Sequence, residues 1–331
     1  VNDHDEEVFD DLQPRPSIDE VIEALASQPE IPGTVLTYGL ANLTDSDTEL
    51  LRTVWMALDD DHRARLLIAL LEANETNPEL QYVAMARLGL QDESADVREA
   101  AVNLLWEEES PATLNALYDL ALADPSDRVR AAAFAELGRF ILAAELGQFP
   151  DDLVDPARRL AARVMNDESQ PVDVRRRALE AASNATMEGV ADAINRAYRS
   201  GDRRLQISAL FAMGRSCDER WSGTVIQQLS NEDPEFRYEA ARAAGEIQIE
   251  EAVPVLAQAA YDEDLDVRDT AIWSLGEIGG PEATQVLRQL AVEADASGDA
   301  ELATAIADAI ATSELNGDDW TLFRYDADSR N

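Results

Sequence analysis

The sequence predicts an all-α chain built as a superhelix of about eight stacked helix pairs, and three observations carry that expectation. The first is a recurrence. Short segments joining an apolar residue, an arginine and then an alanine appear as DVREAAVNLLW at Asp96, RVRAAAFAELG at Arg128, DVRRRALEAAS at Asp173, RLQISALFAMG at Arg204, EFRYEAARAAG at Glu235 and DVRDTAIWSLG at Asp266. Their marker alanines, Ala101, Ala133, Ala178, Ala209, Ala240 and Ala271, are 32, 45, 31, 31 and 31 residues apart. The second is that each interval holds two helical stretches and a turn, the signature of a solenoid whose units bury their apolar faces on one another. The third is composition: 46% hydrophobic but only 6% aromatic, with frequent alanine, suits close-packed helices better than sheets. At 331 residues the chain also exceeds the usual size of one core.

In chain order, residues 1–16 read as a disordered acidic tail. Residues 17–45 read as an N-terminal helical cap, in which Ser17 and Glu20 form a capping box opening a helix to about Ser27 and Pro29 to Leu43 is irregular. Residues 46–313 hold the repeats. Counting 32 back from Ala101 reaches Ala69, and counting 31 forward from Ala271 reaches Leu302. One unit shows the logic. A first helix is expected over about Glu251–Tyr261, a loop at 262–264 and a second helix over about Asp266–Ile278, stopped by Gly279 and Gly280. The face with Val267, Ala271, Ser274, Leu275 and Ile278 points to the core. The long step places an insertion near 139–158, read as a lengthened second helix through Gly147 followed by a Pro-bounded acidic loop. Residues 314–331 form an acidic and aromatic tail or cap; Trp320, Leu322, Phe323 and Tyr325 either shield the last repeat or dock to a partner.

The D-x-V-R-x-x-A pattern with a following L-G resembles the second helix of HEAT repeats, particularly the short HEAT-like type of phycobilin lyases. The resemblance spans about 46–313 and implies a right-handed α-α superhelix. It also implies an Asp–Arg ladder between units, formed by Asp96, Arg98, Arg130, Asp173, Arg175, Arg237, Asp266 and Arg268, with Gln206 interrupting it. Second helices would line the concave surface.

The charge balance narrows the partners. There are 67 acidic residues against 27 basic ones, all arginine, for a net charge of −40. Nucleic acids and anionic membranes are disfavoured because binding them needs clustered cations; a basic or mixed protein surface fits better, as does a salt-adapted solvated exterior. One cysteine, Cys217, leaves no internal disulfide and is compatible with a reducing compartment. No apolar run approaches a membrane span and the first residues are acidic, so a cytoplasmic setting is expected.

Catalytic groups are scarce. With two histidines, His4 and His62, and no lysine, multi-His metal sites, P-loop chemistry and Schiff bases lack their residues. Asp59, Asp60 and Asp61 before His62 read as helix-start acids. No catalytic residue, cofactor or metal site is expected. The helical wheel instead turns Ile207, Phe211, Arg215, Tyr238, Arg242 and Trp273 outward, with Trp106, Arg139 and Arg176 in earlier units. Aromatics and arginine are enriched at binding hot spots. The expected function is therefore a non-enzymatic protein-interaction scaffold or assembly adaptor using this strip, the alternative being that Phe211 and Trp273 only fill gaps between units. The resemblance also implies a second reading, a phycobilin-lyase-like chaperone or enzyme handling a tetrapyrrole and its acceptor protein, with Trp273, Tyr238 and Arg242 holding the ligand. A glycosylase-like DNA groove is opposed by the net charge.

Overall fold

A computed structural model of the chain describes residues 15–27 and 33–327, without the side chains of Ser297 and of 316–327. Among these residues every regular element is helical. The chain divides into two compact units, one ending at Leu137 and the other starting at Gly138. Of the tail expected over residues 1–16, residues 1–14 lie outside the described residues, while Arg15 is held by a hydrogen bond to the Ala41 carbonyl.

The first unit contains α1 (Ile18–Ala26), α2 (Thr34–Gly39), α3 (Asp45–Trp55), α4 (Asp60–Thr76), α5 (Val83–Gly89), α6 (Ala95–Asn103), α7 (Pro111–Ala123) and the start of α8 (Asp127–Glu145). Helix α1 opens on the expected capping box: Glu20 Oε2 accepts the Ser17 N–H at 2.8 Å, and Ser17 Oγ accepts the Glu20 N–H at 3.4 Å. Helix α2 lies where irregular chain was expected. From α3 onward the helices alternate as first and second members of a pair. Ala101 and Ala133 are fully buried, as their marker role requires. Ala69 is not the earlier marker, since it is only half-buried. Leu66, buried and three residues after Arg63 as Ala101 is three after Arg98, holds that place, so this unit is longer than the period counted back from Ala101.

The second unit contains the end of α8, then α9 (Asp151–Val164), α10 (Val172–Ala182), α11 (Val190–Tyr198), α12 (Arg203–Arg215), α13 (Ser222–Gln228), α14 (Pro234–Ile247), α15 (Val253–Ala259), α16 (Leu265–Ile278), α17 (Gly280–Ser297) and α18 (Ala300–Ala327). The acidic loop expected after Gly147 is instead the body of α9. Pro150 caps that helix and Pro156 lies inside it. Val154, Ala157, Leu160, Ala161 and Val164 are all buried, so a 3.6-residue apolar face outweighs the one hydrogen bond that Pro156 removes. The extra residues lengthen helices. Phe140 and Phe149 pack edge to face at 5.3 Å where the chain turns from α8 towards α9.

Ala178, Ala209, Ala240 and Ala271 are all without solvent exposure. Neighbouring second helices approach backbone to backbone. A Cβ on Gly214 would lie 2.9 Å from Ala243 Cα, one on Gly245 3.0 Å from Ser274 Cα, and one on Gly276 3.0 Å from Ala309 Cα. The glycine five residues after one marker thus faces the small residue three after the next. This relation identifies buried Ile306, three before Ala309, as the last marker in place of Leu302, because α17 extends for 18 residues and delays the second helix by a turn.

The ladder between successive helix pairs exists with different acids from those expected. Arg63 Nη2 donates to Asp92 at 3.0 Å, Arg98 grips Asp124 through Nε at 2.8 Å and Nη2 at 2.9 Å, and Arg237 grips Asp262 through both at 2.7 Å. Each aspartate sits in the turn within a helix pair and accepts the N–H two residues on, from Ser94, Ser126 and Asp264, so one carboxylate joins adjacent helix pairs and shapes the turn. Asp96 and Asp173 instead meet Arg128 and Arg204 at the exposed starts of the following second helices. Arg130 bonds within its own pair, to the Asp124 carbonyl and Asp127. Asp167 is held below the usual carboxylate range first by hydrogen bonds from Ser169, with the charge of Arg175 a smaller contribution. Gln206 donates to the Tyr198 carbonyl, and the next turn carries Asn231 instead of aspartate, so both charges are absent from that rung. Asp266 serves the start of α16, its N–H bonded to Asp264, and Arg268 pairs with its neighbour Asp269.

Candidate binding face

Second helices expose one face, and α12, α14 and α16 carry most of the strip expected there. Two residues after each marker stand Glu180, Phe211, Arg242 and Trp273 on successive second helices. Phe211 is half-buried beneath two guanidinium groups: Arg242 lies 4.1 Å and Arg215 5.6 Å from its ring centroid. Arg242 also donates to Glu246 at 2.7 Å, to Glu239 at 2.9 Å and to the Phe211 carbonyl at 3.3 Å. Arg215 reaches Glu246 at 3.3 Å. Arg176 is engaged on α10 by Asp173 and Glu180, and Arg139 lies over Phe140 at 4.8 Å.

The strip is therefore not a cationic surface. Arg176, Arg215 and Arg242 are spent on carboxylates of their own face, an arrangement legible in the i, i+3 and i+4 spacing of Glu239, Arg242 and Glu246 but not in the direction of each helix position alone. Burial pushes the Glu239 and Glu246 carboxyls above their usual range, and the neighbouring arginines oppose that rise. Ser208 hydrogen-bonds Glu180, and Ser274 Oγ donates to the Ala241 carbonyl at 2.7 Å, stitching adjacent second helices below the face.

Ile207, turned outward by the helical wheel, is buried at 8% exposure. A wheel considers one helix, whereas α12 packs between α10 and α14. Tyr238 is half-buried. Trp273 both packs and shows itself: a Cβ on Gly245 would lie 2.9 Å from its Cζ3, yet 41% of the residue remains exposed. Asp269 and Glu277 stand four residues either side of it on α16. In the first unit Trp106 is half-buried and its Nε1–H donates to Asn74 Oδ1 at 2.7 Å.

Elsewhere, Asp59 caps α4 by accepting the N–H of buried His62 at 2.8 Å. Cys217 has φ of 46°, and burial together with Glu246 pushes its thiol up, away from nucleophilic thiolate. No group of three or more His, Cys, Asp and Glu side chains suited to a metal occurs among the described residues. No described helix is long and apolar enough to cross a membrane. Helix α18 continues to Ala327, but the side chains of Trp320, Leu322, Phe323 and Tyr325, and with them the choice between cap and docking motif, lie outside the described residues.

Comparison with known proteins gives one family match: residues 223–310 fit the model of HEAT repeats. No curated protein sequence matches. Similar solved structures include YibA of E. coli, 19% identical with a TM-score of 0.42 over 81% of this chain and 98% of that one. Human deoxyhypusine hydroxylase is 22% identical with a TM-score of 0.36, over 79% and 95% of the two chains. Importin beta is 13% identical with a TM-score of 0.44, over 90% of this chain and 47% of its own length.

Proposed function

We propose that this HEAT-repeat protein is a non-enzymatic scaffold or assembly adaptor that binds a protein partner on the face of its second helices, through Phe211, Arg215, Tyr238 and Trp273. The observation that carries this reading is Trp273, a large indole left 41% exposed between the acidic positions Asp269 and Glu277. Burying such a side chain against a partner gains apolar area at small entropy cost, and its acidic flanks favour a basic or mixed surface over a polyanion. Arg242, over the Phe211 ring, and Arg176, on α10, are held in place by ion pairs with carboxylates of their own helices. In this reading the array runs over 46–313, between a cap at 17–45 and the segment 314–331, and a cytoplasmic setting suits its lone cysteine.

The test is comparative capture from native lysate with the wild-type chain and Trp273→Ala. A partner retained by the first and lost by the second, with unchanged melting temperatures, supports the reading. Equal recovery by both would place binding elsewhere.

A further inference from the structure

Two rungs of the ladder are closed alike: Arg98 takes both oxygens of Asp124, and Arg237 both oxygens of Asp262. Arg268 stands at the same place on α16, three residues before its marker Ala271. Its rung is open. Glu293, 31 residues after Asp262, falls inside the lengthened α17, where its carboxylate accepts from Tyr261 Oη at 2.8 Å and Gln289 Nε2 at 3.2 Å. Arg268 uses Nε for Asp269 at 2.8 Å and lines a cavity of about 350 Å³ whose apolar wall includes Ile272, Leu290, Leu302 and Ile306.

We propose that this cavity binds a carboxylate carried on a compact apolar stem, Arg268 taking from a ligand the group that Arg98 and Arg237 take from the chain itself. A guanidinium offers a planar fork matched to a carboxylate, and apolar walls behind it reward a hydrocarbon stem. The volume is at the small end for ligand sites, which fits an acid of about six to ten heavy atoms. The two carboxylates that line it are engaged, Asp262 by Arg237 and Glu293 by Tyr261 and Gln289, and Asp269 is held by Arg268 Nε. The last contact competes with the ligand.

The experiment titrates the full chain with hexanoate and 4-fluorobenzoate, followed by calorimetry and fluorine NMR, with hexanamide as the neutral control. Saturable acid binding is expected, weakened roughly tenfold or more for the amide and for Arg268→Gln, the scale of one lost charged hydrogen bond. Asp269→Asn should tighten it by freeing the guanidinium, and Leu302→Trp should abolish it by filling the cavity with Arg268 intact. A leucine-ended peptide compared with its C-terminal amide distinguishes a chain end from a free acid, and a preference for the free carboxylate supports the site. Absence of saturable acid binding, equal binding of hexanamide, or wild-type affinity in Arg268→Gln with an unchanged melting curve would overturn the proposal.

Discussion

Arg98 and Asp124 meet fork to fork across two helix pairs, their side chains only 10% and 3% exposed. The guanidinium also donates to the Asp92 and Glu93 carbonyls at 2.8 and 2.9 Å, so it closes one turn while gripping the next. Removing either partner leaves a buried charge without its counter-ion. Asp124→Ala is therefore expected to cost about 3–5 kcal/mol in urea unfolding. The double variant Arg98→Met, Asp124→Ala should recover only part of that loss, because the two carbonyls remain without their donor. Full recovery would show that the carbonyl contacts contribute nothing.

Glycine substitutions should separate close approach from open space. Gly245→Ala would bring a methyl within 2.9 Å of Trp273 Cζ3 and Ser274 Oγ and 3.0 Å of Ser274 Cα. Backbone cannot yield as a side-chain tip does, so a loss of about 1–3 kcal/mol is expected. Gly223, near the start of α13, has nothing within 4 Å of the added Cβ, and Gly223→Ala should be neutral or stabilising by up to about 1 kcal/mol. Thermal melts of the two variants check the contrast.

Acid should loosen the ladder. The Arg237 guanidinium, through its hydrogen bonds, is the largest influence holding Asp262 below the usual carboxylate range. A depressed folded pKa contributes stability that is present above the unfolded value, near 3.9, and is lost as pH falls through the folded one. Asp262→Asn should thus flatten the fall in melting temperature below about pH 4. Glu239 has the opposite sign: burial raises it, so its contribution is greatest at low pH and fades as pH rises through the folded value. A profile for Asp262→Asn that stays parallel to wild type through the acid limb would contradict this assignment.

How far the sequence reading reached follows from these same residues. The marker alanines were legible because a helix buried between two others accepts only a small side chain at closest approach. Ala69 and Leu302 were misassigned because the period was carried unchanged into longer terminal units, where the register is set instead by Arg63 with Leu66 and by Gly276 with Ala309. Pro156 reads as a boundary when proline alone is weighed, although the apolar spacing of Val154, Ala157 and Leu160 runs through it. For the candidate face, the wheel found Phe211 and Trp273 but could not foresee that neighbouring helices cover Ile207. Nor does direction alone reveal that Glu239 and Glu246 consume the charge of Arg242.

A net charge of −40 makes self-repulsion a standing cost of the folded chain. Salt shortens the screening length from about 10 Å at 0.1 M to about 3 Å at 1 M. Sodium chloride should therefore raise the melting temperature over that range despite weakening exposed pairs such as Arg203 with Asp233 and Glu235. A melting temperature that falls with salt would mean that the exposed ion pairs outweigh the repulsion.

Fluorescence quenching can test whether Trp273 presents an acid-flanked indole. Trp55 and Trp221 are buried, and Trp106 is half-buried against Asn74, so among these and Trp273 the last is the most accessible to a collisional quencher. Asp269 and Glu277, a turn to either side, outnumber the Arg268 guanidinium that pairs with Asp269, and this net negative flank should concentrate a cation and repel an anion at the exposed edge. Caesium is therefore expected to quench the wild type more strongly than iodide at equal, low ionic strength. Comparing wild type with Trp273→Phe removes every other tryptophan from the difference, and that difference should carry most of the caesium preference. Equal loss of caesium and iodide quenching in the variant would mean that the acidic flanks leave no local field at the indole, and the preference for a basic partner would lose its physical basis.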